Sequence, residues 1–167
     1  MTAPSLIAPD QQVLDIELLR LLRGRRLCSE IRVLCVIGAH RLDELPLIER
    51  IFPRLRRIHV FEPLPSAFEA LRERASGDSR ITVIPAAVSE TNGSAEFHVS
   101  SNDGESSSLL DFGSHSHLFP EVRMRETIKV QTRRLDSALH EEGLDPPDAV
   151  IIDVQGAELQ VLRSFGA

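Results

Sequence analysis

Within this 167-residue chain, a glycine and a carboxylate have the types and spacing of a nucleotide-handling site. The apolar run IRVLCVIG stops at Gly38, followed by Ala39 and His40, and Glu62 closes the run IHVFE 24 residues later, just before Pro63. A glycine ending a first strand lets the backbone approach a ligand, and an acid about 20 residues further on accepts the ribose hydroxyls of an adenosine-containing cofactor. Charge-assisted hydrogen bonds of that kind contribute about 1.5–3 kcal/mol each. The competing reading of Glu62 is a solvent-facing carboxylate at a strand end. A nicotinamide-dependent dehydrogenase would share this acid, yet the loop has no G-x-G-x-x-G, and Gly38 alone stands where a pyrophosphate needs several close backbone approaches. His115 and His117 have no clear third ligand and read as polar loop residues, so no metal site is expected.

The elements that must position these residues follow from periodicity. Asp10 caps a segment with Val13, Leu14, Leu18, Leu21 and Leu22 at helical spacing, ended by Gly24, so residues 1–30 read as an N-terminal helical segment. Ile31–Ile37 is apolar throughout, as a strand buried on both faces of a parallel sheet would be. A helix follows Asp43, with Leu45, Ile48, Ile51 and Phe52 on one face and Pro53 closing it. IHVFEP is a second strand, Pro65 opens a helix with Phe68 and Leu71 inside, and ITVIPAAV is a third strand. Two βαβ units in about 60 residues imply a parallel sheet. SAEFHVS and TIKVQTR then alternate as two further strands around a Ser/Asp/Gly-rich loop, Ser100 to Ser108, long enough to be functional or mobile. Leu135–Glu142 is a helix ended by Gly143, AVIIDV is a last buried strand, and Ala157–Phe165 is helical.

In such a sheet ligands bind outside the carboxyl ends of the strands, which singles out Gly38-Ala39-His40, Glu62-Pro63, Ala86-Ala87-Val88 and Asp153-Val154-Gln155-Gly156. Here VFEPLPSAFEAL, IPAAVSETNGSAEF, RRLDSAL and above all IIDVQGAELQVLRSF, in this order, resemble successive motifs of FkbM-type methyltransferases, from about Val33 to Ala167. The resemblance implies an α/β, Rossmann-like methyltransferase fold over residues 31–167, S-adenosylmethionine as methyl donor, and a hydroxyl of a sugar, polyketide or similar small molecule as acceptor. It places Gly38, Ala39 and His40 under the methionine part of the cofactor, Glu62 with Pro63 at the ribose, and Ala87 near the adenine. Asp153, Gln155 and Glu158 match the family's most recognisable motif beside the transferred methyl, and Asp136 in RRLDS matches another recurrent acid.

Methyl transfer from a sulfonium asks mainly for alignment of acceptor, methyl and sulfur, while a hydroxyl acceptor must also lose a proton. Asp153 or Glu158 is the expected general base, with His117 a further candidate. The alternative for Asp153 is a cap on the helix beginning near Ala157, and for Glu158 a first-turn acid facing the helix dipole. Gly156 would serve either reading by letting the chain turn from strand to helix.

Two positions depart from the family pattern. Family members carry an acid two residues before the loop glycine and a second glycine four residues after it, where this chain has Val36 and Leu42. Both changes are expected to fall on the cofactor: its amino group loses a partner, and Leu42 brings a branched side chain where backbone and ligand approach. The domain would also lack its C-terminal strands, leaving Ala149–Val154 as an open edge through which a shortened chain would self-associate. A non-catalytic remnant that keeps the fold for binding or assembly is the second reading.

Composition narrows the partners. A formal net charge of −6 disfavours non-specific nucleic-acid binding, and no apolar run is long enough to span a bilayer or serve as a signal peptide, so a cytoplasmic protein acting on a small molecule is expected. The arginines at 23, 25 and 26 and at 54, 56 and 57 each follow a helical segment, whose carboxyl end favours cations. Cys28 and Cys35 fit neither a disulfide framework nor a C-x-x-C motif.

Overall fold

A computed structural model describes residues 25–110 and 123–166. The expected helix before Gly24, and His115 and His117, lie outside the described residues. After a 3-10 turn at Leu27–Ser29 come β1 (Val33–Ile37), α1 (Leu45–Ile51), β2 (Arg57–Phe61), α2 (Pro65–Ala75), β3 (Ile81–Ile84), β4 (Ala87–Val88), β5 (Gly93–Ser100), β6 (Met124–Arg133), α3 (Leu135–Glu141), β7 (Ala149–Ile152) and α4 (Glu158–Leu162).

Four strands form a parallel sheet in the order β3-β2-β1-β7, with Ile37 beside both Phe61 and Ile152. That register brings the carboxyl ends of β1, β2 and β7 level. Asp148 helps to fix it: its carboxylate accepts the N–H groups of Arg32 (2.8 Å) and Val33 (3.0 Å), tying the start of β1 to the residue before β7 and holding the Asp148 carboxyl below its ordinary range. The run ITVIPAAV is not one strand. Pro85 has no N–H to give to a ladder, so β3 stops at Ile84 and the chain crosses to a second sheet, β4-β6-β5, in which β5 and β6 are antiparallel.

The uninterrupted apolar runs reflect burial on both sheet faces. One layer holds Leu34, Val36, Ile58 and Val60 with Ile48 of α1 and Leu71 of α2; the other holds Cys35, Ile37 and Phe61 with Leu135 and Ala138 of α3 and Val161 of α4. A third cluster, including Leu64, Ala67, Phe97 and Val130, fills the space under the second sheet. Phe68, expected inside, is only half-buried, and Ala67 with Leu71 forms the inner face of α2. The last helix is shorter than its pattern suggested, ending at Leu162, and Leu159, Leu162 and Phe165 are exposed near β7, an outer strand of its sheet.

Leu42 and Val36 do not reach the ligand side. Both pack in the layer with Ile48 and Val60, and Leu42 is 1% exposed although its φ is +54°. A leucine in the left-handed region is strained by roughly 1–2 kcal/mol, so its burial must more than offset that strain. Leu42→Ala is expected to destabilise the chain by about 2–4 kcal/mol, through the cavity it leaves. Leu42→Gly should be no worse than alanine, against the usual ordering, because glycine releases the backbone strain. Denaturant titration of the two variants checks this, and a clearly less stable glycine variant would refute it.

His59 of β2 lies beside Cys35 in the sheet and is 1% exposed. Its Nε2 meets the Asp145 carbonyl at 3.1 Å, and its Nδ1 is the one buried side-chain N or O among the described residues with no hydrogen-bond partner. Desolvation, aided by Arg57 and opposed by Asp145, pushes its pKa down, while burial pushes the Cys35 thiol up to about 12, so both side chains sit neutral in the core. Below the unfolded value near 6.5 the unfolded chain takes up a proton that folded His59 resists, so stability falls as pH drops through that value. Unfolding free energies measured between about pH 7 and 5 should show this slope and lose it in His59→Leu. An unchanged slope in the variant would count against the assignment.

Candidate functional site

The level strand ends open onto a pocket lined by Gly38 and His40 after β1, Phe61, Glu62 and Pro63 after β2, Ala86–Val88 at the sheet crossover, and Asp153, Val154 and Ala157 after β7. The pocket is open to solvent at its mouth and encloses about 40 Å³ of cavity. Backbone strain gathers here. The four non-glycine residues with positive φ among those described are His40, Leu42, Asp103 and Gln155, all in loops that surround this pocket. Such conformations persist where the surroundings enforce them, and they cluster at functional sites.

Gly38 is fixed by close approach as well as by its φ of +80°, since a Cβ there would overlap the carbonyl oxygen of Asp153. The loops after β1 and β7 therefore lie backbone against backbone. Glu62 is 5% exposed, not solvent-facing. Its Oε2 accepts the His40 N–H at 2.7 Å and its Oε1 accepts the Leu64 N–H at 2.8 Å, so one carboxylate holds the loops after β1 and β2 together. Desolvation pushes its carboxyl up, and the two N–H groups and His40 pull it back. Each oxygen keeps a second lone pair for a hydroxyl donor.

Ala39 turns its side chain into the core, so its loop meets the pocket through Gly38 and His40. Asp153 opens to the pocket, and its Oδ1 accepts from Gln155 Nε2 at 2.7 Å. Desolvation and the charge of Glu158 raise its carboxyl above the ordinary range, against the pull of Gln155. It does not cap the following helix, whose N-terminus has no side-chain cap. Glu158 is not in the pocket wall: its Oε1 accepts the Gly156 N–H at 3.1 Å and so shapes the turn that presents Asp153.

Asp136, expected among the catalytic acids, lies elsewhere. It starts α3, where its carboxylate takes Arg134 Nη2 at 2.6 Å and the Ser137 N–H at 2.6 Å, while its own N–H donates to the Ser164 carbonyl. Arg134 holds its pKa down and engages the carboxylate fully. It fastens α3 to the end of α4.

Phe97, Gly104, Glu105, Ser107 and Leu109 complete the wall and were not anticipated as site residues. They come from the end of β5 and the serine-rich stretch, which folds over the pocket as a cover. Gly104 presses on Leu64 so closely that a Cβ would overlap it, His40 Nε2 donates to the Asp103 carbonyl at 3.0 Å, and Arg41 pairs with the Asp103 carboxylate. The serines are internal fasteners: Ser107 Oγ accepts the Ser100 N–H at 3.0 Å, and Ser108 Oγ donates to the Val154 carbonyl at 3.1 Å. The sequence signal was the glycine within a run of short polar residues, which pack without bulk.

The residues present are of the kind that an adenosine-containing cofactor requires: a glycine at a close backbone approach, a buried carboxylate, and an apolar stretch of Phe61, Ala86, Ala87 and Val88. Among the described residues no group of three or more His, Cys, Asp and Glu could hold a metal ion, and no helix is long and apolar enough to cross a membrane.

Comparison with known proteins agrees with this architecture. The chain is 36% identical over 122 residues to the 2-O-methyltransferase NoeI of Sinorhizobium fredii (strain NBRC 101917 / NGR234), which covers 68% of this chain and 50% of the relative. It thus spans about half the length of that curated relative. The crystal structure of methyltransferase FkbM from Methylobacillus flagellatus KT superposes with a TM-score of 0.50 at 12% identity, covering 92% of this chain and 44% of that one, a likeness of fold. The family model of the methyltransferase FkbM domain matches residues 37–167, which hold every pocket-lining residue and all the strands but most of β1, and the chain belongs to that family.

Proposed function

We propose that this pocket binds S-adenosylmethionine and that the chain serves the O-methylation of a hydroxyl on a sugar or other small molecule. The observation that carries the reading is the buried Glu62 carboxylate, facing the same pocket as Gly38 and spanning two ligand loops. In this reading Glu62 receives the ribose hydroxyls, Ala86–Val88 and Phe61 flank the adenine, and Gly38 with His40 lies along the methionine part. The cofactor, when bound, supplies an activated methyl group on a sulfonium. An oxygen acceptor is supported by the relative named as a 2-O-methyltransferase.

Asp153 is the group suited to take the acceptor's proton. One of its oxygens is oriented by Gln155, the other is left for a hydroxyl, and its raised carboxyl makes it a stronger base than an ordinary aspartate. Glu158 then positions the turn and contributes charge. The test is release of S-adenosylhomocysteine when the chain is given S-adenosylmethionine together with a panel of hydroxylated sugars. Turnover by the wild type, with Asp153→Asn still binding cofactor but transferring at least about 100-fold more slowly, is expected. Cofactor binding without turnover on any acceptor would favour the remnant reading.

A further inference from the structure

Building on the cofactor reading above, we infer that Glu105 is the anionic partner of the cofactor's α-ammonium group. An ammonium entering a partly desolvated pocket needs a paired charge. Val36 cannot provide one, because it is an apolar side chain packed in the core layer away from the pocket. Two other carboxylates line the pocket, each with a task of its own in that reading, Glu62 at the ribose and Asp153 at the acceptor, and Asp103 lies on the loop beside it. Glu62 holds the His40 and Leu64 amides, Asp153 is engaged by Gln155, and Asp103 pairs with Arg41.

Glu105 differs from them. It lines the pocket with Gly38 and His40, and its carboxylate makes no ion pair or hydrogen bond among the described residues. Its position is also built. The residue before it, Gly104, is wedged on Leu64 beside the His40 ring, its own N–H donates to the Asn102 carbonyl at 3.3 Å, and Ser100 and Ser107 fasten the loop on either side. Glu105 therefore lies on the cover, next to the residue that meets His40, and lines the same pocket as the Gly38–His40 loop along which the amino-acid part of the cofactor would run.

The test is calorimetric titration of wild type and Glu105→Gln with S-adenosylhomocysteine and with its deaminated analogue, which keeps the carboxylate and lacks the ammonium. Glu105→Gln should weaken S-adenosylhomocysteine about tenfold and leave the analogue unchanged, as expected for one lost charge-assisted contact. Because Glu105 is exposed, the variant should melt with the wild type. An equal loss on both ligands, or none on S-adenosylhomocysteine, would overturn the assignment while leaving the cofactor reading intact. Wild type binding neither ligand would overturn both.

Discussion

Glu62→Gln is expected to weaken binding of S-adenosylmethionine by about 100-fold while the chain stays folded, the loss expected from two charge-assisted hydrogen bonds to ribose hydroxyls. Glutamine keeps the shape and one acceptor oxygen, so one of the His40 and Leu64 amides loses its partner and a modest drop in stability should accompany the loss. Glu62→Ala removes both acceptors. Each orphaned buried N–H costs about 1–3 kcal/mol, so alanine should combine lost binding with a clear fall in melting temperature. The sign of the pH dependence follows from the raised carboxyl. Above the unfolded value near 4.5 the unfolded chain sheds this proton more readily than the folded one, so Glu62 opposes folding at neutral pH and favours it only as pH falls. A carboxylate kept buried at that cost of ionisation while it bridges two ligand loops is better explained by binding than by stability alone. Affinities and melting curves of the two variants separate these effects.

Gly38→Ala should be among the most damaging single-methyl additions available in this chain. The new Cβ would meet the backbone oxygen of Asp153, which has no side-chain freedom to yield, and the φ of +80° is unfavourable for alanine. Overpacking and left-handed strain together suggest a loss of about 3–5 kcal/mol. The loops after β1 and β7 would also be pushed apart, so the ligand site should be lost before the fold is. Gly77→Ala is the matched control: a Cβ there meets nothing within 4 Å, and its effect should stay within about 1 kcal/mol. Urea titrations of the two variants compare them directly, and similar stabilities would contradict the close approach described.

Much of the sheet was legible because its inner strands are buried on both faces, and a run such as VLCVI announces that burial without any alternation; AVII has the same pattern, yet β7 is an outer strand and its four residues are only half-buried. Glu62 and Gly38 were legible because strand ends and their spacing define a ligand side in any parallel sheet. Other features depended on three-dimensional packing. Leu42 looked like an obstruction to the cofactor, since a sequence pattern records where a glycine usually stands but not which way a replacement side chain turns; here it turns into the core. Asp136 shared a motif with the site and yet is held by Arg134, a partner two residues away whose orientation no pattern reveals. The Ser100–Ser108 loop was expected to be functional or mobile, but its individual cover residues Gly104, Glu105 and Ser107 could not be named, because a polar loop carries no periodicity and only its docking on Leu64 and Val154 brings them over the pocket. Pro85 could have corrected the third strand, since a missing N–H argues against a continuous ladder.

The central claim is that the pocket at the ends of β1, β2 and β7 receives S-adenosylmethionine, and calorimetric titration of the wild-type chain with that ligand tests it most directly. The account predicts saturable, one-to-one binding in the micromolar range. A chain that is demonstrably folded yet releases no heat of binding with either S-adenosylmethionine or S-adenosylhomocysteine would contradict it.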